Sequence, residues 1–556
     1  MEKKPMRFWE ANLALLRQSN PDLTELVRQL EQVGPWEGPW ARSKTGENLP
    51  PAPGGRPGSS LVSVYDLKAE ARRWIEDTQD SGGVVVLGGT SPYVFETLLK
   101  MEKTVFFVEP RNEVLRSLLT CWDWRGVFSS PSFVFPSSEE KLRQTLQARF
   151  FPMWNGKLLI KEWRSAVENE AATFVSWKRS LSQTIEEWTG DLSTQAGLGR
   201  RWLTQTLVNL SRIRPCRLDL GDWDHALVLG AGPGLEEALD DPKNKRLLDE
   251  RPRNGVRVMA SDTALPVLRQ RGLVPDLIVC LDAQTASYQH FLSGVPAGVP
   301  LLADLAALPV LDRLTTAVLR FRSSHPLAAY ASLDYPELPF LDTSLGQVAG
   351  VALLAAARLG ARRASLWGLD FSYPLAKTYA RGTYVYPYFQ TRSSRLEPSD
   401  SLLSAFAWRT DLVQRFSSPR GTVYTNEVLL SYKKRLETYP WPLEVLPWAG
   451  PGLELKFSHP APLPFQKETW ENPDTRGRWP RFKERLLHLW SDLDFTSFRT
   501  FQEFETGLGP EQRQGWRALW PHAVWLKTKK KTLQQAGWKE LAQESRRFAL
   551  EILGKI

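Results

Sequence analysis

The feature that most constrains the fold is a glycine turn between a short apolar strand and a helix, near the middle of the chain. The strand ALVL at residues 226–229 runs into Gly230, Gly232 and Gly234, and the helix-forming residues LEEAL follow. A strand, a glycine turn and a helix in this order open a Rossmann-like unit, and the free N–H groups at such a helix start can bind an anion. The sequence therefore predicts an α/β sheet here, with the turn as its best candidate for phosphate binding.

Polar and acidic side chains follow three further strands of this predicted sheet. The strand at 256–260 leads to Ser261, Asp262 and Thr263, the strand at 277–281 ends in Asp282, and the strand at 364–366 leads to Asp370. Ligands of open α/β sheets bind at the carboxyl ends of the strands. Three carboxylates at this edge could hold a metal ion, bind sugar hydroxyls or act as a general base. Capping of the helices that follow is the structural alternative.

The position of Asp262 argues against a redox dinucleotide site. In the dinucleotide fingerprint the acidic residue that binds the ribose follows the turn by about 20 residues, whereas Asp262 follows Gly230 by roughly 30 residues. Binding of a nucleotide phosphate stays open. Among the histidines, His325 follows a strand-like segment and is the candidate acid or base, with a structural loop position as its alternative.

A weaker form of the same pattern lies closer to the N-terminus. A strand at 84–87 leads to Gly88 and Gly89, and the next strand, at 104–108, ends at Glu109. The turn has only two glycines, so it does not match the full dinucleotide fingerprint. Two interpretations remain for Glu109, which either accepts hydrogen bonds from ribose hydroxyls or caps the next helix.

The 556 residues are too many for one core, and the alternating patterns predict five parts. Residues 1–60 form N-terminal helices and a linker rich in proline and glycine, residues 61–162 a first Rossmann-like domain, and residues 163–215 a helical bridge. Residues 216–395 form the central, catalytic Rossmann-like domain, and residues 396–556 a helical, tryptophan-rich C-terminal region. The predicted fold class is α/β, with two mostly parallel sheets joined by helices.

Composition excludes several classes of protein. The net charge of +9 and the pI of about 9.3 are spread over the whole chain, so no nucleic-acid partner is predicted. Cys121, Cys216 and Cys280 match no metal-ligand spacing, so the cysteines predict no metal site, and composition assigns no resident cofactor. No apolar run approaches the 18 or so residues of a membrane-spanning helix, and the first residues lack a secretory signal pattern. We expect a cytoplasmic protein without a transmembrane segment.

Several separate motifs resemble one known family. The segments GAGPGLEEAL, SDTALPVLRQRGLVPDLIVCLD and GVALLAAARLGARRASLWGLDFSY are similar to successive signatures of the motility accessory factor family, whose central domain is shared with archaeal 6-hydroxymethylpterin diphosphokinase. FWEANLALL and VYDLKAEARRWI resemble the N-terminal pieces of that family. The resemblance implies transfer of a sialic-acid-like (nonulosonic) sugar from a CMP-activated donor to Ser or Thr of flagellin. It also implies a donor site lined by Gly230, Gly232, Gly234, Asp262 and Asp282 and closed by Asp370.

Three hypotheses about function follow. In the glycosyltransferase hypothesis a strand-end carboxylate, Asp282 or Asp370, or else His325 takes the proton of the acceptor hydroxyl, and backbone N–H groups stabilise the leaving phosphate. The second hypothesis is an ATP-dependent diphosphokinase acting on a pterin alcohol, which would need Mg²⁺ bound by Asp262, Asp282 and Asp370. The third is a non-catalytic adaptor that binds flagellar or envelope proteins through its C-terminal helices.

Overall fold

A computed structural model describes residues 8–19, 23–35, 40–52, 59–168, 171–251, 253–409, 413–458, 467–474 and 476–556. The chain divides into two compact units, one of Met1–Thr194 with Phe498–Thr506 and one of Gln195–Ser497 with Gly507–Ile556. Parts of the predicted linker, residues 36–39 and 53–58, lie outside the described residues. Both units contain parallel sheets and helices, which confirms the predicted α/β class.

The first unit is built on a four-stranded parallel sheet, in the order β5-β4-β3-β6. Its strands, together with a small antiparallel pair, are β1 (Ala41–Arg42), β2 (Asn48–Leu49), β3 (Ser81–Leu87), β4 (Thr104–Val108), β5 (Phe133–Val134) and β6 (Lys157–Glu162). The helices up to the division are α1 (Trp9–Ser19), α2 (Thr24–Gln32), α3 (Leu67–Trp74), α4 (Pro92–Lys100), α5 (Asn112–Cys121), α6 (Arg125–Phe128), α7 (Glu139–Arg149), α8 (Pro152–Asn155), α9 (Arg164–Val167) and α10 (Ala171–Arg212). The division between the units falls within α10.

The central strands of the first unit's sheet, β3 and β4, are buried on both faces. In β3, Val84 and Val86 pack into one apolar cluster, and Val85 and Leu87 pack into another. Successive side chains of a strand point to opposite faces, so an unbroken apolar run is what a strand covered on both sides requires. The predicted strands at 84–87 and 104–108 are confirmed.

The second unit contains a seven-stranded parallel sheet, in the order β12-β11-β10-β9-β8-β13-β16. The strands that follow α10 are β7 (Cys216–Leu218), β8 (His225–Leu229), β9 (Val256–Ser261), β10 (Leu277–Cys280), β11 (Leu301–Asp304), β12 (Val318–Phe321), β13 (Arg363–Trp367), β14 (Gln414–Ser418), β15 (Gly421–Thr425), β16 (Glu444–Pro447) and β17 (Trp470–Asn472). The strand order reverses between β8 and β13, which is the switch point at which such sheets bind ligands.

Helices cover this sheet and form most of the C-terminal region, as predicted. They are α11 (Gly234–Asp240), α12 (Pro242–Glu250), α13 (Leu265–Gln270), α14 (Leu311–Leu314), α15 (Pro326–Tyr330), α16 (Val348–Arg358), α17 (Val385–Gln390), α18 (Ser399–Ala407), α19 (Glu427–Thr438), α20 (Arg478–Ser491), α21 (Phe501–Gly507), α22 (Pro510–Arg517), α23 (Trp520–Lys529) and α24 (Trp538–Lys555). In the described part of the chain, no helix has both the length and the apolar character needed to cross a bilayer.

Two segments differ from the sequence prediction. Residues 401–416 have a helical pattern, but the helix α18 ends at Ala407 and the strand β14 begins at Gln414. β14 pairs with β15 as an antiparallel hairpin. The seventh strand of the large sheet, β16, comes from a proline-rich stretch of the C-terminal region that was predicted to be helical.

Candidate functional site

The glycine turn after β8 has its N–H groups bonded within the chain. Gly230 donates to the carbonyl of Trp367, Gly232 donates to the carbonyl of Gly368, and each distance is 2.8 Å. Gly234, the first residue of α11, donates to a carboxylate oxygen of Asp370, also at 2.8 Å. The groups that the sequence offers to a phosphate therefore hold the loop after β13, and Asp370 is the anion at the start of α11.

Asp370 fits this position because the residues around it are glycines. A Cβ atom at position 232 would lie 2.2 Å from Oδ2 of Asp370, and a Cβ atom at position 234 would lie 2.5 Å from Oδ1. Burial raises the pKa of Asp370 to about 6, against the hydrogen bond from Gly234, which lowers it. Asp370 thus caps a helix, but the helix is α11, which precedes it in the chain, and not a helix that follows β13.

The first unit contains a similar arrangement at its own glycine turn. The N–H of Gly89 donates to Glu109 Oε2 at 2.7 Å. The guanidinium of Arg111 makes two further hydrogen bonds to the same carboxylate, each 2.7 Å long. Glu109 is therefore satisfied within the chain, in a bidentate pair that a ribose hydroxyl would have to break. The geometry favours the structural interpretation of Glu109.

Asp262 and Asp282 lie together at the carboxyl ends of β9 and β10. Asp262 is only 3% exposed, and its Oδ1 accepts from the N–H of Thr263 at 2.7 Å and from its hydroxyl at 3.2 Å. Burial raises the pKa of Asp262 to about 6. Asp282 is less buried and accepts from the N–H of Gln284 at 2.8 Å. Burial raises its pKa, and the charge of Asp262 raises it further. The two carboxylates form the acidic centre of the candidate site.

Two residues of this centre were not predicted from the sequence. His290 lies in a short 3₁₀ helix, Thr285–Phe291, that follows β10. Its Nε2 is 3.5 Å from Oγ1 of Thr263, and its ring meets the ring of Tyr384 edge-on, with the centroids 4.8 Å apart. No motif surrounds His290, and only its place soon after a strand-end aspartate could have singled it out. Tyr384 comes from a distant segment, so only the folded structure brings it here.

His325 is placed away from this centre. It precedes α15, beyond the end of β12, whereas Asp282 follows β10, and β11 lies between these two strands. The ring of His325 packs against Trp202, with the centroids 4.0 Å apart. Its charge acts on the buried Asp304 at the end of β11, where burial raises the pKa of the carboxyl and His325 lowers it.

The last part of α10 crosses the carboxyl edge of the sheet. Gln205 donates to the carbonyl of Ala283 at 3.0 Å, and Asn209 donates to the carbonyls of Leu305 and Ala307 at 2.7 Å. Most buried polar atoms in proteins are hydrogen-bonded. In the described part of the chain, this edge nevertheless holds several buried atoms without a hydrogen-bond partner, namely Gln205 Oε1, Thr206 Oγ1, Asn209 Oδ1, Ser261 Oγ and His290 Nδ1. We take this concentration as the mark of a polar ligand site.

The three aspartates proposed as Mg²⁺ ligands are not brought together. Asp370 is bound to Gly234, while Asp262 and Asp282 interact with each other at β9 and β10. Across the described residues, no group of three His, Cys, Asp or Glu side chains is arranged so that it could hold a metal ion. The geometry therefore does not fit the Mg²⁺ site of the diphosphokinase hypothesis.

The central part of the chain matches one known protein family. Residues 205–375 match the family described as 6-hydroxymethylpterin diphosphokinase MptE-like. An uncharacterized protein of Treponema pallidum (strain Nichols) is 34% identical over 176 residues, which are 31% of this chain and 62% of that relative. A second protein of the same organism is 25% identical over 170 residues, which are 30% of this chain and 76% of that relative. The chain thus spans less than two thirds of the first relative.

Structural comparison covers nearly the whole chain. The MAf glycosyltransferase from Magnetospirillum magneticum AMB-1 superimposes with a TM-score of 0.59 and 13% identity, over 98% of this chain and 95% of the other. The two proteins therefore share a fold. The resemblance to the motility accessory factor family is confirmed for the fold, and the related central domain is confirmed at residues 205–375.

Proposed function

We propose that this protein is a glycosyltransferase that moves a nonulosonic sugar from a CMP-activated donor to a Ser or Thr hydroxyl of flagellin. The observation that carries the proposal is the acidic centre of Asp262 and Asp282 at the carboxyl ends of β9 and β10. It lies in the domain that matches the MptE-like family, within a chain that has the fold of a MAf glycosyltransferase.

The chemistry of transfer fits this centre. The acceptor hydroxyl must lose a proton, and a nearby carboxylate or imidazole can receive that proton or balance its charge. Asp282 is the more accessible of the two carboxylates, and its pKa is raised by burial and by Asp262. We propose that the negative charge of the Asp282 carboxylate balances the positive charge of the proton that leaves the acceptor hydroxyl. The leaving group is CMP, whose single phosphate does not oblige the site to hold a metal.

The donor has polar groups to bind at the same edge. Ser261 is the last residue of β9, directly before Asp262, and its buried hydroxyl has no hydrogen-bond partner within the described residues. Thr263 Oγ1 is shared between Asp262 and His290. A phosphate at the glycine turn would have to displace Asp370 from the N–H of Gly234. We therefore propose Ser261 as the first hydroxyl that a bound donor contacts, and the turn as a second contact that requires movement of Asp370.

The role of Asp282 can be tested with Asp282→Asn. Loss of the charge should lower the rate of sugar transfer by about 10²- to 10⁴-fold, because nothing then compensates the proton leaving the acceptor. The measurement is transfer from CMP-sugars to purified flagellin, followed by mass spectrometry of the intact acceptor. Asp276→Asn is the matched control, since Asp276 lies at the opposite end of β10 and bonds the N–H of Val258 at 2.8 Å.

Nucleotide binding and sugar transfer together distinguish the glycosyltransferase hypothesis from the diphosphokinase and adaptor hypotheses. CMP should raise the thermal unfolding midpoint of the wild-type protein, since ligand binding stabilises the folded state. A shift with ATP and Mg²⁺ but not with CMP would contradict the proposal and favour the diphosphokinase, which the family match at residues 205–375 supports. If no nucleotide shifts the midpoint and flagellin gains no mass, the adaptor hypothesis is favoured instead.

A further inference from the structure

His290 stands at the end of a short chain of polar atoms that starts at Asp262. The hydroxyl of Thr263 is 3.2 Å from Asp262 Oδ1 and 3.5 Å from His290 Nε2. A hydroxyl donates only one hydrogen. Because the carboxylate is both the nearer and the stronger acceptor, that hydrogen goes to Asp262. The imidazole must then be the donor in the second contact, which places the imidazole hydrogen on Nε2.

The other ring nitrogen is left as an acceptor with nothing to accept from. Nδ1 of His290 is buried, and in the described part of the chain it has no hydrogen-bond partner, although the residue is only 6% exposed. A buried polar atom left unpaired is unfavourable. The ring is nevertheless held in place, between Thr263 on one side and the edge-on ring of Tyr384 on another. An oriented and unpaired acceptor of this kind fits a ligand group that donates a hydrogen.

We propose that His290 Nδ1 is the atom that takes the proton of the acceptor hydroxyl, with Thr263 and Asp262 fixing the tautomer that makes it available. The inference rests on the proposed glycosyltransferase function. In this step the hydroxyl O–H bond breaks and its proton joins Nδ1. The hydroxyl oxygen forms the bond to the anomeric carbon of the sugar, while the bond from that carbon to the phosphate oxygen breaks. The electron pair of the broken bond leaves with CMP.

The surroundings of the ring determine its protonation state before transfer. Burial lowers the pKa of His290 to about 4, and the charge of Asp282 raises it. The imidazole is therefore neutral near pH 7, which is the state in which Nδ1 can accept a proton. Once protonated, the ring carries a positive charge close to Asp282 and one hydroxyl away from Asp262. Asp282 thus supplies the compensating charge assigned to it above, without itself taking the proton.

The catalytic role is tested with substitutions that separate the two ring nitrogens. His290→Gln keeps a side-chain nitrogen for Thr263 but has no counterpart of Nδ1, and transfer should fall by about 10²- to 10⁴-fold. Thr263→Val removes the hydroxyl that fixes the tautomer and should lower kcat by roughly tenfold, whereas Thr263→Ser should restore it. His225→Gln is the control, because His225 is a buried histidine at the start of β8, 2.9 Å from Ser365 Oγ.

Binding and turnover are read separately in these variants. His290→Gln and His225→Gln should keep the thermal shift that CMP gives the wild-type protein, since Nδ1 acts on the acceptor rather than on the donor. If the wild type transfers sugar and His290→Gln does so at the same rate, the inference is wrong while the proposed function stands. If the wild type neither binds CMP nor transfers sugar, the proposed function is wrong and the base role falls with it.

The tautomer itself can be measured without any turnover. In protein labelled with ¹⁵N-histidine, imidazole NMR at pH 7 should show His290 as the neutral form protonated on Nε2. Thr263→Val should mix the two tautomers, and Thr263→Ser should not. A wild-type ring protonated on Nδ1, or on both nitrogens, would overturn the inference whatever the activity of the protein.

Discussion

At the scale of single residues, the most informative contact is the one between a carboxylate and a glycine N–H. Asp370 bonds Gly234 in the second unit, and Glu109 bonds Gly89 in the first. The positive end of a helix stabilises a negative charge whether that charge belongs to a ligand or to the chain itself. A glycine turn after a strand therefore predicts an anion, but it does not say whose anion it is.

Asp262 should make the stability of the protein depend on pH. Its pKa is raised by burial from 3.8 to about 6, so the folded state binds the proton more tightly than the unfolded state does. The stabilisation is complete below pH 4 and is lost as the pH rises through about 6. The asparagine side chain of the Asp262→Asn variant does not titrate, so the variant lacks this loss of stability. The unfolding free energy of the variant minus that of the wild type should therefore rise by roughly 3 kcal/mol between pH 4 and pH 7.

Urea denaturation at intervals between pH 4 and pH 7 measures this difference. Asp240→Asn is the control of opposite sign, because the hydrogen bond from Arg271 lowers the pKa of the exposed Asp240 carboxylate. A difference between Asp262→Asn and wild type that stays constant with pH would show that Asp262 has an ordinary pKa.

At the scale of elements, the apolar runs predicted the central strands well. VRVMA and LIVC are short runs that contain β-branched residues and end close to Asp262 and Asp282, and they form most of β9 and all of β10. The strand β16 was missed because its sequence, EVLP, is short and lies among prolines. β16 pairs with β13 and so provides hydrogen-bond partners for the backbone of β13. This pairing can be recognised only in the folded structure. The strand β14 was missed because the helical pattern of α18 continues into its sequence, so the predicted helix was too long.

The part of the candidate site that depends on local sequence patterns could be predicted. The strand-end rule places Asp262 and Asp282 at one edge of the sheet, and the structure brings them together there. It also places Asp370 at that edge, but β13 lies beyond β8 in the sheet, which sets Asp370 against the glycine turn instead. The contacts of His290 with Thr263 and Tyr384 join segments far apart in sequence. No periodicity or spacing encodes contacts of this kind.

The fit between the turn and Asp370 predicts that α11 tolerates no side chain at its first residue. In Gly234→Ala the new Cβ would lie 2.5 Å from Oδ1 of Asp370. The carboxylate must move and the N–H bond lengthens, so the unfolding free energy should drop by about 1–3 kcal/mol. Thermal denaturation measures the change, with Gly197→Ala as the control.

The control has open space around the new methyl group. Gly197 lies on the exposed side of α10, and a Cβ atom there would meet nothing within 4 Å. Alanine in place of a helical glycine should be neutral or stabilising. If Gly234→Ala behaves like Gly197→Ala, the contact between the turn and Asp370 is looser than the structure shows.

At the scale of the whole molecule, the chain consists of two units with separate cores. The apolar clusters around β3 and β4 belong to the first unit, and those around β8, β9 and β10 belong to the second. Because each unit has its own core, we expect calorimetry to show two unfolding transitions. CMP should raise the midpoint temperature of only one transition, that of the unit that binds it. The unfolding free energy of this unit should increase by about 2.7 kcal/mol when the CMP concentration is one hundred times the Kd.

The variant Gly234→Ala identifies that transition. The substitution lies in the second unit, next to the candidate site. It should therefore lower the same transition that CMP raises. A single transition, or a shift of both transitions by CMP, would contradict independent unfolding of the two units.

The order of strands in the large sheet has a consequence for the synthesis of the protein. β8 at residues 225–229 pairs with β13 at residues 363–367, and β13 pairs in turn with β16 at residues 444–447. The side chain of Asn472, later still, accepts from the N–H of Arg320 and donates to the carbonyl of Val318 on the other edge strand. Contacts between distant parts of a chain form slowly. The emerging polypeptide must therefore expose unpaired strand edges until most of its length has left the ribosome, and this interval is when chaperones would be needed.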